Sequence, residues 1–185
     1  MKKLIYITLL TLGASCTAQT YPLRTYGEMP QNSYLKDTNN ELQDYEGTWK
    51  ASWKNKTIFI TFTKLEHIYV WPLKQYKDRL IGKFKVIDKN TNQVLFDNTN
   101  ISDTDAKIKG GGIKKNTNKY LLSYGDKDLC GLNGLIFIEF TDSTKTKLNW
   151  KFSYWSNMIT QDCPYFYAEK FPEPLPKNAV LVKQN

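Results

Sequence analysis

The chain is poor in the residues on which most catalytic and metal sites depend. Its 185 residues include one histidine, His67, and three cysteines, Cys16, Cys130 and Cys163. A structural zinc site needs four ligands, and a side-chain nucleophile needs a neighbouring base to activate it. Neither arrangement is available, so we expect a protein that is not an enzyme, with no catalytic residue, no metal and no cofactor.

Arginine is equally scarce, although the chain is basic. The formal net charge is +8, and Arg24 and Arg79 are the only arginines. Without Lys2 and Lys3 the net charge is about +6 (8 − 2). Surfaces that read nucleic acid depend on arginine and on a basic stripe, whereas these lysines are spread along the chain, so no nucleic-acid partner is expected. The lysines are expected either to form a solvated surface or to attract anionic lipids or glycans.

The apolar run near the N terminus is too short to cross a bilayer as a helix. Residues 4–12 (LIYITLLTL) follow Lys2 and Lys3 and precede the small residues 13–15 and then Cys16. A positive segment, a short apolar segment and small residues form the order of a bacterial export signal. We therefore predict an export signal over residues 1–18 and a mature protein that works outside the cytoplasm.

Two cleavage sites fit this signal. In one, Cys16 is the lipidated cysteine of a lipoprotein, because Ala14 and Ser15 fit the two preceding positions and no polar segment separates the apolar run from the cysteine. In the other, an ordinary signal peptidase cuts after Ala18, and Gln19 becomes the new terminus. We favour a lipid anchor in the membrane, with the protein facing the periplasm because no acidic run follows Cys16. Cleavage after Ala18 would instead give a secreted protein.

Cys130 and Cys163 remain in the mature chain under either interpretation. An even pair of cysteines in an exported protein indicates a disulfide bond, with two buried free thiols as the alternative. The pair spans 33 residues (163 − 130) and would fasten the C-terminal segment to the middle of the chain.

From Gly47 onward, apolar and polar residues alternate with a period of two, which is the pattern of β-strands with one buried face. The alternating runs cover residues 47–54, 57–63, 80–86, 94–96, 107–114, 120–124, 135–140 and 148–155. The glycines at 110–112 are expected to form a bulge or a turn. These runs predict an all-β fold, an antiparallel meander of about eight strands closed into an up-and-down barrel, with a β-sandwich as the alternative.

The segment Asp44-Tyr45-Glu46-Gly47-Thr48-Trp49 resembles the start of a calycin barrel, the group of lipocalins, fatty-acid-binding proteins and avidins. In that group a short helical turn precedes a first strand with Gly-x-Trp, and the tryptophan closes the barrel base. The resemblance implies a calycin-like barrel with Trp49 buried at its closed end. In lipocalins an arginine on a late strand stacks on this tryptophan, and here the late strand offers Lys151.

A second resemblance covers most of the chain. It depends on Ser15-Cys16-Thr17-Ala18-Gln19, Tyr34-Leu35-Lys36-Asp37, Gly47-Thr48-Trp49, Leu80-Ile81-Gly82-Lys83, the two late cysteines and the final residues 176–181. This order is similar to a family of small exported proteins of unknown function, including lipoproteins, from Bacteroidetes-type bacteria. The similarity implies export and one shared domain, and no activity.

Three parts are therefore expected in the chain. They are the export signal 1–18, a tether with a short helical turn over 19–44, and a single β domain over 45–185 with a proline-rich tail. After the tail, residues 179–182 are apolar enough to dock as an edge strand or a plug.

The aromatic side chains on the inward face suggest a ligand site. We expect the barrel to bind a small apolar or amphipathic molecule between Trp53, Phe84, Trp150 and Tyr154, with its headgroup among lysines such as Lys54 or Lys85. The alternative is a structural, interaction or inhibitor-like protein of the cell envelope, with a filled core and no ligand. An open interior would favour the first function and a filled interior the second.

Overall fold

The computed structural model describes residues 19–155 and 159–184, and the fold is all-β. The strands are β1 Thr20–Pro22, β2 Tyr34–Lys36, β3 Gly47–Trp53, β4 Lys56–Val70, β5 Gln75–Asp88, β6 Val94–Asp97, β7 Ile108–Ile113, β8 Tyr120–Asp126, β9 Leu132–Phe140, β10 Lys147–Tyr154 and β11 Asn178–Lys183. Single-turn 3-10 helices lie at η1 Gln43–Tyr45, η2 Trp71–Leu73, η3 Asp103–Asp105 and η4 Lys127–Leu129.

Eight of the strands close into an antiparallel barrel. Around the ring the strands follow chain order from β3 to β5 and then from β7 to β11, while β6 pairs only with β5. The ring closes because β11 pairs with β3, Val182 opposite Lys50 and Lys183 opposite Trp49. The predicted up-and-down barrel is confirmed. The apolar segment near the C terminus, expected as an edge strand or plug, is the strand that completes the ring.

The barrel interior is filled with large side chains. Alternation places one face of each strand inward, and five large inward residues are less than 2% exposed: Trp49, Phe62, Phe84, Tyr120 and Trp150. Aromatic side chains of this size occupy the room that an eight-stranded barrel encloses. The packed interior is therefore the hydrophobic core of the protein.

Trp49 lies at a closed end of the barrel, as expected. Leu42 and Tyr45, in and beside η1, are buried against this end, and the Trp49 indole nitrogen donates to the Tyr45 carbonyl oxygen at 2.8 Å. The cation over the indole ring is Lys183 of β11, with its Nζ 5.4 Å from the ring centroid. Lys151, the candidate from the sequence, is exposed on β10.

The N-terminal segment, expected as a tether, forms part of the fold. β1 pairs with β2, and β2 pairs with β5, both in parallel. Leu23 and Leu35 are each 5% exposed, so the segment is held by apolar burial. It is also held by the fully buried Asp78 carboxylate, which accepts the Tyr34 hydroxyl at 2.6 Å and the Asp37 amide at 2.9 Å. Strands of three residues are too short to show alternation, which explains why the sequence pattern did not reveal them.

The β4–β5 hairpin extends past the first pair of β3 with β4, in which Gly47 lies opposite Phe62. Trp71 is 78% exposed and Leu73 58% exposed at its tip. His67 occupies an irregularity of β4 and stacks on Tyr76, with ring centroids 4.2 Å apart. The barrel therefore has a closed end, beside this hairpin, and an opposite end at the β3–β4 turn.

Cys130 and Cys163 form the predicted disulfide bond, with their Cα atoms 5.6 Å apart. The bond joins the short connection between η4 and β9 to the segment before the proline-rich tail. In the part of the chain that the structure describes, no helix has the length and apolarity to cross a membrane. The predicted export signal, Cys16 and Ala18 lie outside the described residues.

Candidate functional site

A cleft of about 890 Å³ opens at the end of the barrel opposite Trp49. We call it the mouth cleft. It lies between the β3–β4 turn, the end of β10 and the proline-rich tail, and its lining includes Lys54, Lys56, Tyr154, Trp155, Lys170, Phe171, Glu173 and Lys177. Its volume falls in the range of small-molecule sites, about 300–1,000 Å³.

The β3–β4 turn positions two of the lysines. Lys54 has a φ of 49°, and the tight connection that it forms with Asn55 brings both ends of the hairpin to the rim. The Asn55 side chain donates to the Asp88 carboxylate at 2.6 Å, which holds the turn against the end of β5. Lys54 and Lys56 therefore extend from a braced turn.

The proline-rich tail supplies the other wall of the cleft. Leu175 is 1% exposed, and the Trp150 indole nitrogen donates to the Pro176 carbonyl oxygen at 2.8 Å. The Tyr154 hydroxyl donates to the Leu175 carbonyl oxygen at 3.2 Å. These contacts fix the tail to β10, so that Phe171 and Glu173 face the β3–β4 turn across the cleft.

Glu173 engages the two lysines of the turn. Lys54 Nζ lies 2.7 Å from a Glu173 carboxylate oxygen, and this hydrogen bond lowers the pKa of Glu173. Lys56 Nζ donates to the Glu173 main-chain carbonyl oxygen at 3.1 Å, and burial lowers the pKa of Lys56. The acid and these two cations thus hold the turn and the tail together.

Lys170 and Lys177 complete the charge pattern of the cleft. Neither forms an ion pair within residues 19–155 and 159–184, and Lys177 Nζ lies 6.0 Å from the centroid of the Tyr154 ring. With the Glu173 carboxylate occupied by Lys54, these two ammonium groups give the cleft an excess of positive charge. Tyr154, 56%-exposed Trp155 and Phe171 provide apolar surface beside them.

The four ligand-wall residues predicted from the sequence are divided between two places. Tyr154 lines the mouth cleft, and Trp53 is half-buried next to it, with Lys56 Nζ 5.6 Å from the Trp53 ring centroid. Phe84 and Trp150 are 1% and 0% exposed in the filled interior below. All four side chains point inward as predicted, but they lie at different depths, two near the rim and two in the core.

The two lysines suggested for a headgroup are also separated. Lys54 lines the cleft, whereas Lys85 pairs with Asp97 at 3.4 Å on β5 and β6. Trp155, Lys170, Phe171 and Lys177 were not identified from the sequence. The sequence does contain a pattern that points to these residues, because Lys170 and Lys177 flank a segment of aromatic and proline residues. Only the fold shows that this segment returns to the barrel.

Among the residues that the structure describes, no group of three histidine, cysteine, aspartate or glutamate side chains could hold a metal ion. No curated protein and no solved structure matches the chain. A family of unknown function, DUF6705, matches residues 1–184. Since the match covers nearly the whole sequence, the chain belongs to this family.

Proposed function

We propose that the protein is an exported binding module of the cell envelope that holds a small amphipathic anion in the mouth cleft. The observation that carries the proposal is the cleft of about 890 Å³, in which three aromatic side chains adjoin two lysines without ion-pair partners in the described chain. The filled barrel interior supports placing the ligand at the mouth and not between the strands. Binding without catalysis is the activity that we infer.

Each part of the cleft has a distinct role in this proposal. The apolar body of the ligand packs on Tyr154, Trp155 and Phe171, because aromatic rings offer large apolar surfaces at small entropic cost. The acidic headgroup binds Lys170 and Lys177 through charge-assisted hydrogen bonds. The Lys54–Glu173 pair keeps the tail in place and so maintains the shape of the cleft.

A tryptophan-fluorescence titration tests the proposal. The panel contains fatty acids, isoprenoid phosphates and aromatic acids, each beside its neutral alcohol. We expect a saturable change in tryptophan fluorescence with one acidic class, and this change should be lost in Trp155→Phe. In Lys177→Met the affinity for the acid should be about tenfold lower, since one charge-assisted hydrogen bond is removed. Lys85→Met, which removes a lysine paired with Asp97, is the matched control. A flat response across the panel, or equal binding of acids and alcohols, contradicts the proposal.

The cellular location is part of the same proposal. A disulfide is consistent with an extracellular or periplasmic location, because disulfides persist in oxidising compartments. The order of residues 1–16 supports export and a lipid on Cys16, with the barrel facing the periplasm from the outer membrane. Cleavage after Ala18 would give a secreted form of the same barrel.

An interaction role is the second candidate, and the exposed tip of the β4–β5 hairpin favours it. Tyr69, Trp71 and Leu73 are 42%, 78% and 58% exposed, and adjacent exposed apolar side chains of this kind mark contact surfaces. A photo-crosslinking residue at Leu73 should then trap an envelope protein, whereas the same residue at Val94, 44% exposed on β6, should not. Equal products from both positions would exclude a specific role for the tip.

A further inference from the structure

A second cleft lies on the outside of the barrel, where β5 loses its neighbour. On one edge β5 pairs with β2 at Tyr76 and Lys77, and with β7 at Ile81 and Gly82. The register of β7 shifts between Gly110 and Gly112, so the strand diverges there. A cleft of about 310 Å³ opens beside this divergence, and the segment after β1 forms its other side.

Lys77 lies at the base of this cleft. The residue is 8% exposed, and its Nζ donates to the Gly111 carbonyl oxygen at 2.6 Å. No carboxylate pairs with this ammonium group anywhere in the described chain. A Cβ atom at position 112 would lie 2.8 Å from Nζ, so the glycine provides the room that the ammonium group occupies.

Arg79 adds a second uncompensated cation on the same side of β5. It is half-buried, its Nε is buried without a hydrogen-bond partner, and it forms no ion pair with any described residue. Burial lowers the pKa of both Lys77 and Arg79, and the charge of Arg79 lowers the pKa of Lys77 further. Burying a cation is costly unless an opposite charge accompanies it. Burial of these two cations therefore lowers the stability of the free protein, and a bound anion would offset this loss.

The walls of the cleft are apolar and carry no acid. Leu23, Leu35, Ile113, Leu121 and Phe137 line it, Lys114 lies at its edge, and no described aspartate or glutamate contributes. An apolar cleft with an ammonium group at its base complements a molecule that has an apolar body and one negative end. A volume near 300 Å³ limits that molecule to a short chain or a single ring.

We propose that this cleft is a binding site for a small apolar oxyanion, a carboxylate or phosphate on a short chain or ring, with its charged end on Lys77. It is separate from the mouth cleft and does not depend on ligand binding there. The oxyanion would accept hydrogen bonds from Nζ while Gly111 keeps its own, because an ammonium group has three donors. Arg79 would strengthen the binding through its positive charge.

Amide NMR of the folded, disulfide-bonded protein tests this site locally. The probes are octanoate, octyl phosphate, octanol and acetate, and the reporters are the amides of Gly111 and Gly112. We expect saturable shifts of both glycines with one or both octyl anions, and at least tenfold weaker binding of octanol and of acetate. The two octyl anions distinguish a carboxylate site from a phosphate site. Shifts confined to residues of the mouth cleft, or equal binding of octanol, would overturn the proposal.

Two variants separate binding from folding. Lys77→Met keeps the apolar stem and removes the charge, and it should weaken octyl anion binding at least about tenfold. Lys83→Met is its matched control, because Lys83 is on the same face of β5 but is paired with Asp103 at 2.7 Å. Thr25→Trp adds a bulky ring on the opposite side of the cleft while keeping the Lys77 charge, and it should also abolish the glycine shifts. Unchanged affinity in folded Lys77→Met or Thr25→Trp would refute the site.

Discussion

The indole nitrogen of Trp150 donates a hydrogen bond of 2.8 Å to the carbonyl oxygen of Pro176. The bond joins the centre of the barrel core to the proline-rich tail, since Trp150 is 0% exposed and Pro176 immediately precedes the turn into β11. It satisfies the polar atom of a buried indole with a backbone acceptor that would otherwise be unpaired. The tail is thereby fixed against β10, where it forms the wall of the mouth cleft.

We expect Trp150→Phe to lower the free energy of unfolding by about 2–4 kcal/mol. The smaller ring leaves a cavity, and the Pro176 carbonyl loses its partner in a buried position. Urea denaturation followed by circular dichroism measures the change. Trp155→Phe, at a side chain that is 56% exposed, should change stability by less than about 0.5 kcal/mol. Similar losses in both variants would show that the indole–carbonyl bond contributes little.

Removal of the disulfide should lower stability by about 3–4 kcal/mol, the chain-entropy value for a loop of 33 residues. The double variant Cys130→Ser/Cys163→Ser is compared with the oxidised protein by urea denaturation. We also expect weaker binding at the mouth cleft, because Cys163 leads into the segment that contains Phe171 and Glu173. A folded variant with unchanged stability would mean that the barrel alone constrains this segment.

The sequence predicted the barrel well because its inward side chains alternate over long runs. Ile58, Ile60 and Phe62 on β4 show the regular pattern, and all are buried. β11 and β2 were harder to predict from the sequence, because β11 has only two inward apolar positions and β2 has only three residues. Their place depends on pairing with distant strands, which a local pattern does not contain.

Of the four ligand-wall residues predicted from the sequence, only Tyr154 lines the mouth cleft, for a related reason. Alternation correctly placed Trp53 and Tyr154 on the inward face, but it does not say how deep each residue lies along a strand. Depth follows from register, which puts Trp150 in the core and Tyr154 at the rim. Lys77 illustrates the same limit, since its burial results from the glycine bulge of β7, far away in the sequence.

Alkaline pH should unfold the protein because several buried tyrosines resist ionisation. Burial raises the pKa of Tyr45 to about 12, and burial also raises the pKa of Tyr120 and Tyr124 above its usual value. Above about pH 10 the unfolded chain loses phenolic protons that the folded chain retains, so the free energy of unfolding falls as pH rises. The lowered pKa of Lys77 acts in the opposite direction only up to about pH 10.4, where the unfolded lysine also deprotonates.

Tyr45→Phe tests this explanation directly. Its hydroxyl makes only a 3.5 Å contact with the Asn118 carbonyl oxygen, so the substitution removes the titrating group with little other change. Between about pH 10.5 and 12, the loss of stability per pH unit should be smaller by up to about 1 kcal/mol, because at pH 11 the folded Tyr45 keeps most of the proton that the unfolded chain has lost. Tyrosinate absorbance and denaturation at each pH give the measurement. An unchanged slope would show that Tyr45 ionises in the folded protein.

The membrane anchor predicted at Cys16 has a geometric consequence. The carbonyl oxygen of Gln19 accepts the Tyr34 amide at 2.9 Å, and β1 begins at Thr20. If Cys16 carries a lipid, residues 17–19 alone would separate it from the first strand, and the barrel would lie close to the bilayer. β2 lies against β5 at Tyr76, so such an attachment would lie beside the β4–β5 hairpin and opposite the mouth cleft.

Cys16→Ser should release the protein from membranes or leave the precursor uncut, because the thiol is the only group there that can carry the lipid. Fractionation of cells measures release from the membrane, and mass spectrometry shows whether the precursor is cut and where the wild-type N terminus begins. Three acyl chains would hold the wild type in the membrane fraction, since one chain alone binds only marginally. Cys130→Ser, which alters a cysteine of the barrel, should remain membrane-bound and serves as the control. A wild-type protein that begins at Gln19 would disprove the anchor and leave a secreted barrel, with its mouth cleft unaffected.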